Sequence, residues 1–125
     1  MKENIDIGLP RLAQPFSWAA KGAGLLFTTH GPVRADGSIE TGSIGQQARL
    51  TLENVRRAVN AAGAQMSDVA QVLIYLVDES DMAAVDAVYR EFFAPPYPNR
   101  SSVAVRSLVA PGMRIEMVVY AVLET

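Results

Sequence analysis

Glu116 is a carboxylate set inside an otherwise apolar run, Ile115 to Val122, near the end of the chain. In such a run a carboxyl group is partly stripped of water, its pKa rises, and it can act as a general base near neutral pH. The alternative is a residue at a sheet edge, or one paired with Arg114 or Arg106. Arg100 follows the prolines at 95, 96 and 98 and stands just before an expected strand. Its planar guanidinium can grip a carboxylate through two parallel hydrogen bonds, although most arginines at such positions are simply solvated. Neighbouring strands would permit Arg100 and Glu116 to share a pocket. His30, in Thr28-Thr29-His30-Gly31-Pro32, is the only imidazole. A lone histidine at a strand end is more often a hydrogen-bonded structural residue than a catalyst. Phe16 and Trp18 could line a pocket, with core packing as the default for aromatics. No cysteine is present, so thiolate zinc sites and cysteine nucleophiles are excluded. One histidine rules out His-based metal clusters, and the glycines lack the spacing of a phosphate-binding loop.

These residues must be positioned by a single domain, because 125 residues make one core of ordinary size. Half of the residues are hydrophobic and 19% are charged, as in a globular protein. Eleven basic against thirteen acidic residues give a net charge of −2. That balance argues against a broad nucleic-acid-binding face or a polybasic membrane anchor. No apolar stretch reaches membrane-spanning length, and no leader pattern is visible at the start. The expectation is a cytoplasmic domain, residues 1–125, that uses no cofactor.

The elements follow from periodicity. Residues 1–15 read as an arm with a short strand, and Gly22-Ala23-Gly24 as the turn of a hairpin that ends in the strand Leu25–Thr29. Ala48, Leu52, Val55, Val59 and Ala62 place one apolar stripe on a helix from Gln46 to Ala62, closed by Gly63. Val69 to Val77 is a nearly continuous apolar run, expected for a strand covered on both faces. Ser80 or Asp81 would cap a second helix carrying Met82, Val85, Tyr89 and Phe92. Strands are expected at Ser101–Arg106 and Arg114–Leu123, separated by the Pro111-Gly112 turn. Two helices with a mostly antiparallel or mixed sheet give a two-layer α+β domain with both helices on one face. The other face, carrying Val118, Tyr120 and Val122 beside Glu116, is apolar enough to predict contact with another subunit.

The chain resembles the RidA/YjgF family of small enamine and imine deaminases along nearly its whole length. The resemblance is carried by Pro15-Phe16-Ser17, Leu25 to Pro32, Leu52-Glu53-Asn54-Val55, Ala84 to Tyr89, Pro98-Asn99-Arg100-Ser101-Ser102-Val103 and Arg114-Ile115-Glu116-Met117. It implies a chorismate-mutase-like α+β fold and a homotrimer with inward-facing sheets and sites between subunits. It also implies hydrolysis of 2-imino or enamine acids to 2-keto acids and ammonia, without metal or cofactor. Arg100 would hold the substrate carboxylate and Glu116 would position water. Phe16, Thr28, Thr29, Asp86 and Ser102 would line the pocket. Phe16 stands where tyrosine is frequent, Thr28-Thr29 where Ser-Gly is common and Asp86 where the deaminases often have asparagine. These positions are where substrate choice would change.

Rival readings are a relative specialised for a pathway intermediate such as an aminoacrylate or aminomuconate, and a non-catalytic trimer binding a metabolite or protein. A ribonuclease role, also attached to this family, is disfavoured by the acidic balance and the lack of a basic-aromatic stripe.

Overall fold

Along Leu25–His30, labelled β3, Leu26, Thr28 and His30 are buried while Phe27 and Thr29 are exposed. That period of two is what a strand shows when one of its faces is packed. The same alternation runs through β6 (Ile115–Val122), where Ile115, Met117, Val119 and Ala121 are buried. The structure is a computed structural model and describes residues 1–124. A six-stranded sheet has the order β1-β2-β3-β6-β4-β5, with β1 at Glu3–Asn4, β2 at Ala19–Gly22, β4 at Val69–Leu76 and β5 at Asn99–Ala104. The last strand therefore sits in the middle, antiparallel to both β3 and β4, while β4 and β5 run parallel. Helices α1 (Ile44–Ala61) and α2 (Met82–Phe92) pack on one face, as expected of a two-layer α+β domain. Neither is long and apolar enough to cross a membrane.

The β2–β3 hairpin turns on Ala23 and Gly24, both at positive φ (54° and 76°), the conformation of a two-residue hairpin loop whose twist matches the strands. Helix α1 begins two residues before the expected Gln46. Ser43 Oγ accepts from the Gln46 amide while Gln46 Oε1 accepts from the Ser43 amide, a reciprocal box that makes Gln46 the third helical residue. Ala48, Leu52, Val55 and Val59 form the fully buried stripe. Gly63, at φ +82°, follows the helix end as expected.

The entry to α2 differs from the expectation of a Ser80 or Asp81 side-chain cap. Asp78 accepts from the Ser80 amide and starts a tight 3-10 turn, Glu79–Asp81, that feeds the helix. The Asp81 carboxylate is directed instead at Arg114, whose Nη2 lies 2.8 Å and 3.0 Å from its two oxygens. Strand β5 is also displaced, spanning Asn99–Ala104 rather than Ser101–Arg106, because its parallel ladder to β4 starts at Gln71 and Asn99. Arg100 is thus inside a strand rather than before one.

The second face of the sheet carries no helix. Phe27, Val103 and Val122 are exposed there, with Val118 and Tyr120 half-buried between them.

Candidate functional site

In the parallel ladder Arg100 stands opposite Val72 and Ser102 opposite Ile74, two residues whose side chains are fully buried on the helical side. Arg100 and Ser102 therefore project toward α2, and Arg100 meets it. Its Nη1 donates to Asp86 Oδ1 at 2.7 Å, and its guanidinium carbon lies 4.9 Å from the centre of the Tyr89 ring. Asp86 and Tyr89 are one helical turn apart, so a single face of α2 supplies both a counterion and a flat surface for the guanidinium. The pair opens onto a cavity of about 220 Å³ also lined by Arg90, Tyr97 and Pro98. Burial pushes the Tyr89 phenol up to about 12, which keeps it protonated and neutral beside Arg100. Tyr89, Arg90 and Tyr97 were not among the expected site residues. Tyr89 lies on the apolar stripe of α2 and reads as core, Arg90 reads as a solvated helix residue, and Tyr97 is brought to the cavity by the proline-rich turn.

Glu116 lies on the other face. It falls between the fully buried Ile115 and Met117 and opposite Tyr75, so its carboxyl points to the side without helices. It is half-buried, and desolvation holds its pKa above the ordinary carboxylate value. The expected alternative of pairing with Arg114 is not realised, because Arg114 is committed to Asp81. The neighbouring strands that would permit Arg100 and Glu116 to share a pocket are not formed: β4 lies between β5 and β6, and the two side chains are on opposite faces of one chain.

The remaining expected residues cluster at β2 and β3. Between β3 and β5 lie β6 and β4, which separates this cluster from Arg100 by roughly 14 Å at the usual strand spacing. Phe16 is exposed and meets the Trp18 ring edge-on at 4.8 Å. Trp18 in turn stacks on His30 at 5.8 Å and donates Nε1–H to the Pro10 carbonyl. Thr28 is buried, and its hydroxyl donates to the Trp18 carbonyl at 2.6 Å. With its one proton so used, Thr28 Oγ1 can only accept from His30 Nε2, also at 2.6 Å. His30 is therefore the Nε2–H tautomer with a bare, buried Nδ1. Burial, assisted by Arg57, lowers its pKa to about 4. The structural reading of His30 fits this arrangement. Thr29 has the opposite orientation to Thr28. It stands exposed across from Val118, on the same face as Glu116.

Chemically, then, the chain offers a braced guanidinium at one sheet edge, a half-desolvated carboxylate in the middle of the open face, and an aromatic and threonine cluster beyond it.

The family described as Endoribonuclease L-PSP matches residues 9–123. A relative from Schizosaccharomyces pombe, named protein mmf2, mitochondrial, is 35% identical over 105 residues, covering 82% of this chain and 83% of its own length. A Dermatophagoides farinae protein named 2-iminobutanoate/2-iminopropanoate deaminase is 38% identical over 84 residues, which is 67% of this chain and 65% of that protein. Among solved structures, Escherichia coli TdcF with bound serine superposes with a TM-score of 0.88 at 31% identity, over 98% of this chain and 99% of TdcF.

Proposed function

Because the chain belongs to the RidA/YjgF family, also described as Endoribonuclease L-PSP, we propose that it hydrolyses small 2-imino acids to 2-keto acids and ammonia. The family includes proteins named as imine deaminases, which supports the reaction class. The observation that carries the reading is the Arg100 guanidinium, held over the Tyr89 ring and bonded to Asp86 at the mouth of a small cavity. A guanidinium held this way offers its remaining N–H groups to a substrate carboxylate and fixes the imine carbon in one place.

In the reaction, water adds to the imine carbon, giving a tetrahedral aminoalcohol. Glu116 takes a proton from the attacking water and passes it to the imine nitrogen, then takes the hydroxyl proton of the aminoalcohol and passes it to the amino group, which leaves as ammonia while the C=O bond forms. A raised carboxyl pKa suits both transfers, since the group is a stronger base than a solvated glutamate and a usable acid after protonation. Orientation supplies much of the remainder, on the order of 7 kcal/mol in favourable cases.

The separation of Arg100 and Glu116 onto two faces supports a complete site built from more than one chain. In the proposed homotrimer the open faces turn inward, and the Arg100 edge of one chain meets the Glu116, Thr29 and Phe16 region of its neighbour. The uncovered apolar residues Phe27, Val103 and Val122 support such packing.

The test is keto-acid formation from imines generated in place by an amino-acid oxidase, with and without the protein. Acceleration that is lost on Arg100→Ala supports the reading. No acceleration by a folded, assembled protein overturns it and leaves a ligand-binding role, which the existing Arg100–Asp86 pair favours because part of the clamp is already engaged.

A further inference from the structure

The cavity beside Arg100 holds a second feature, its charge. Arg100 and Arg90 both line it, and Asp86 is the one carboxylate among its walls. Arg100 and Asp86 are paired at 2.7 Å, with their side chains only 30% and 26% exposed. Arg90, four residues after Asp86 and on the same side of α2, forms no ion pair among the described residues. The walls that this one chain supplies thus sum to one positive charge. At about 220 Å³ the space is smaller than the roughly 300–1,000 Å³ of pockets for drug-sized ligands, so it suits a small organic acid.

We propose that Asp86 determines which acids this cavity accepts: with the carboxylate present it takes monocarboxylates and rejects dicarboxylates. A single carboxylate neutralises the surplus charge. A second one must be held against Asp86, in a site where partial burial weakens screening. Only one edge contact joins the pair, Nη1 to Oδ1, so Arg100 retains donors for a ligand without breaking the bridge. Converting Asp86 to asparagine keeps an oxygen that can accept the same hydrogen bond but removes the repulsion. This inference deepens the deaminase reading by naming the substrate class, and it rests on that reading only for the identity of the natural ligand.

The experiment compares the wild type with Asp86→Asn by calorimetric titration with 2-oxobutanoate and with 2-oxoglutarate at low salt. Binding needs no turnover, so its outcome is separable from that of the hydrolysis assay. The wild type is expected to favour the monocarboxylate, and Asp86→Asn to shift the preference toward the dicarboxylate by on the order of tenfold. High salt should shrink that shift. An unchanged preference overturns the proposal. So does an equal loss of affinity for both acids, since Asp86 would then position Arg100 rather than select by charge. Failure of both proteins to bind either acid removes the cavity as an anion site and the proposal with it. Binding and selection without imine hydrolysis would overturn the catalytic reading alone.

Discussion

Arg100 uses one of its N–H donors on Asp86 and lies over the Tyr89 ring, which leaves a fork of restricted direction rather than a mobile charge. Lysine keeps the charge but not the planar fork that bonds Asp86 while still presenting parallel donors to a ligand, so Arg100→Lys is expected to lose nearly as much kcat/KM as Arg100→Ala, on the order of 10- to 100-fold for a charge-assisted pair. Recovery by lysine in steady-state assays would reduce Arg100 to a point charge. Glu116 makes the pH dependence. A base must be ionised, so kcat/KM should rise with pH through an acid limb lying above 4.5, and Glu116→Gln should flatten it. The stability effect has the opposite sense. Because the folded pKa exceeds the unfolded one, the ionised side chain costs stability as pH rises through it. Glu116→Gln should therefore raise Tm near pH 8 but not near pH 4, within the same assembly state. His30 is displaced the other way, from 6.5 to about 4, so the native state resists a proton that the unfolded chain accepts. Its contribution is complete above 6.5 and is lost as pH falls to about 4, a difference of about 3 kcal/mol. Denaturant titrations should show this loss in the wild type and not in His30→Asn.

At the scale of elements, the start of β6 is held from the side. Gln47, buried on α1, donates Nε2–H to the Gly112 carbonyl and accepts the Arg114 amide, at 2.9 Å and 2.8 Å. Asp81 fixes the Arg114 side chain, and Glu116 follows two residues later. Gln47→Leu would leave two part-buried backbone groups without their partner. The expected loss is roughly 2–4 kcal/mol by equilibrium unfolding, with activity falling as β6 loosens. Such cross-links explain what was legible in the sequence. The stripe from Ala48 to Val59, the hairpin around Ala23-Gly24 and the apolar run of β4 are local patterns, and each produced its element. The end of β5 was misplaced because its register is set by β4, some thirty residues away, and not by its own alternation. The shift matters for the site, since it moves Arg100 from a loop into a ladder position facing α2. Similarly, Asp81 reads as a helix cap until Arg114 is placed beside it by the fold. Asp86 could be named from the family pattern, but its pairing with Arg100 arises only when α2 crosses over to join two parallel strands.

At the scale of the molecule, the two halves of the proposed site are not joined within one chain. The β5 edge carries Arg100, and the open face carries Glu116 and Thr29, with no route by which a side chain passes through the sheet to join them. If adjacent chains supply the two halves, defects in the two halves complement one another. Arg100→Ala and Glu116→Gln subunits, each strongly impaired alone, should regain activity when unfolded together at equal amounts and refolded. In a cyclic assembly each interface draws its Arg100 half from one chain and its Glu116 half from the next, so random mixing makes about one interface in four intact. Roughly a quarter of wild-type activity is therefore expected, and diluting either variant should lower it. Activity that stays at the level of the separate variants would mean that both residues serve the same chain's site, which requires the face of β6 to be rearranged. Light scattering on the same samples gives the assembly directly. Val122→Asp, placing a charge on the exposed apolar face, should shift it toward monomer and lower activity in proportion if the contact proposed for that face also completes the site.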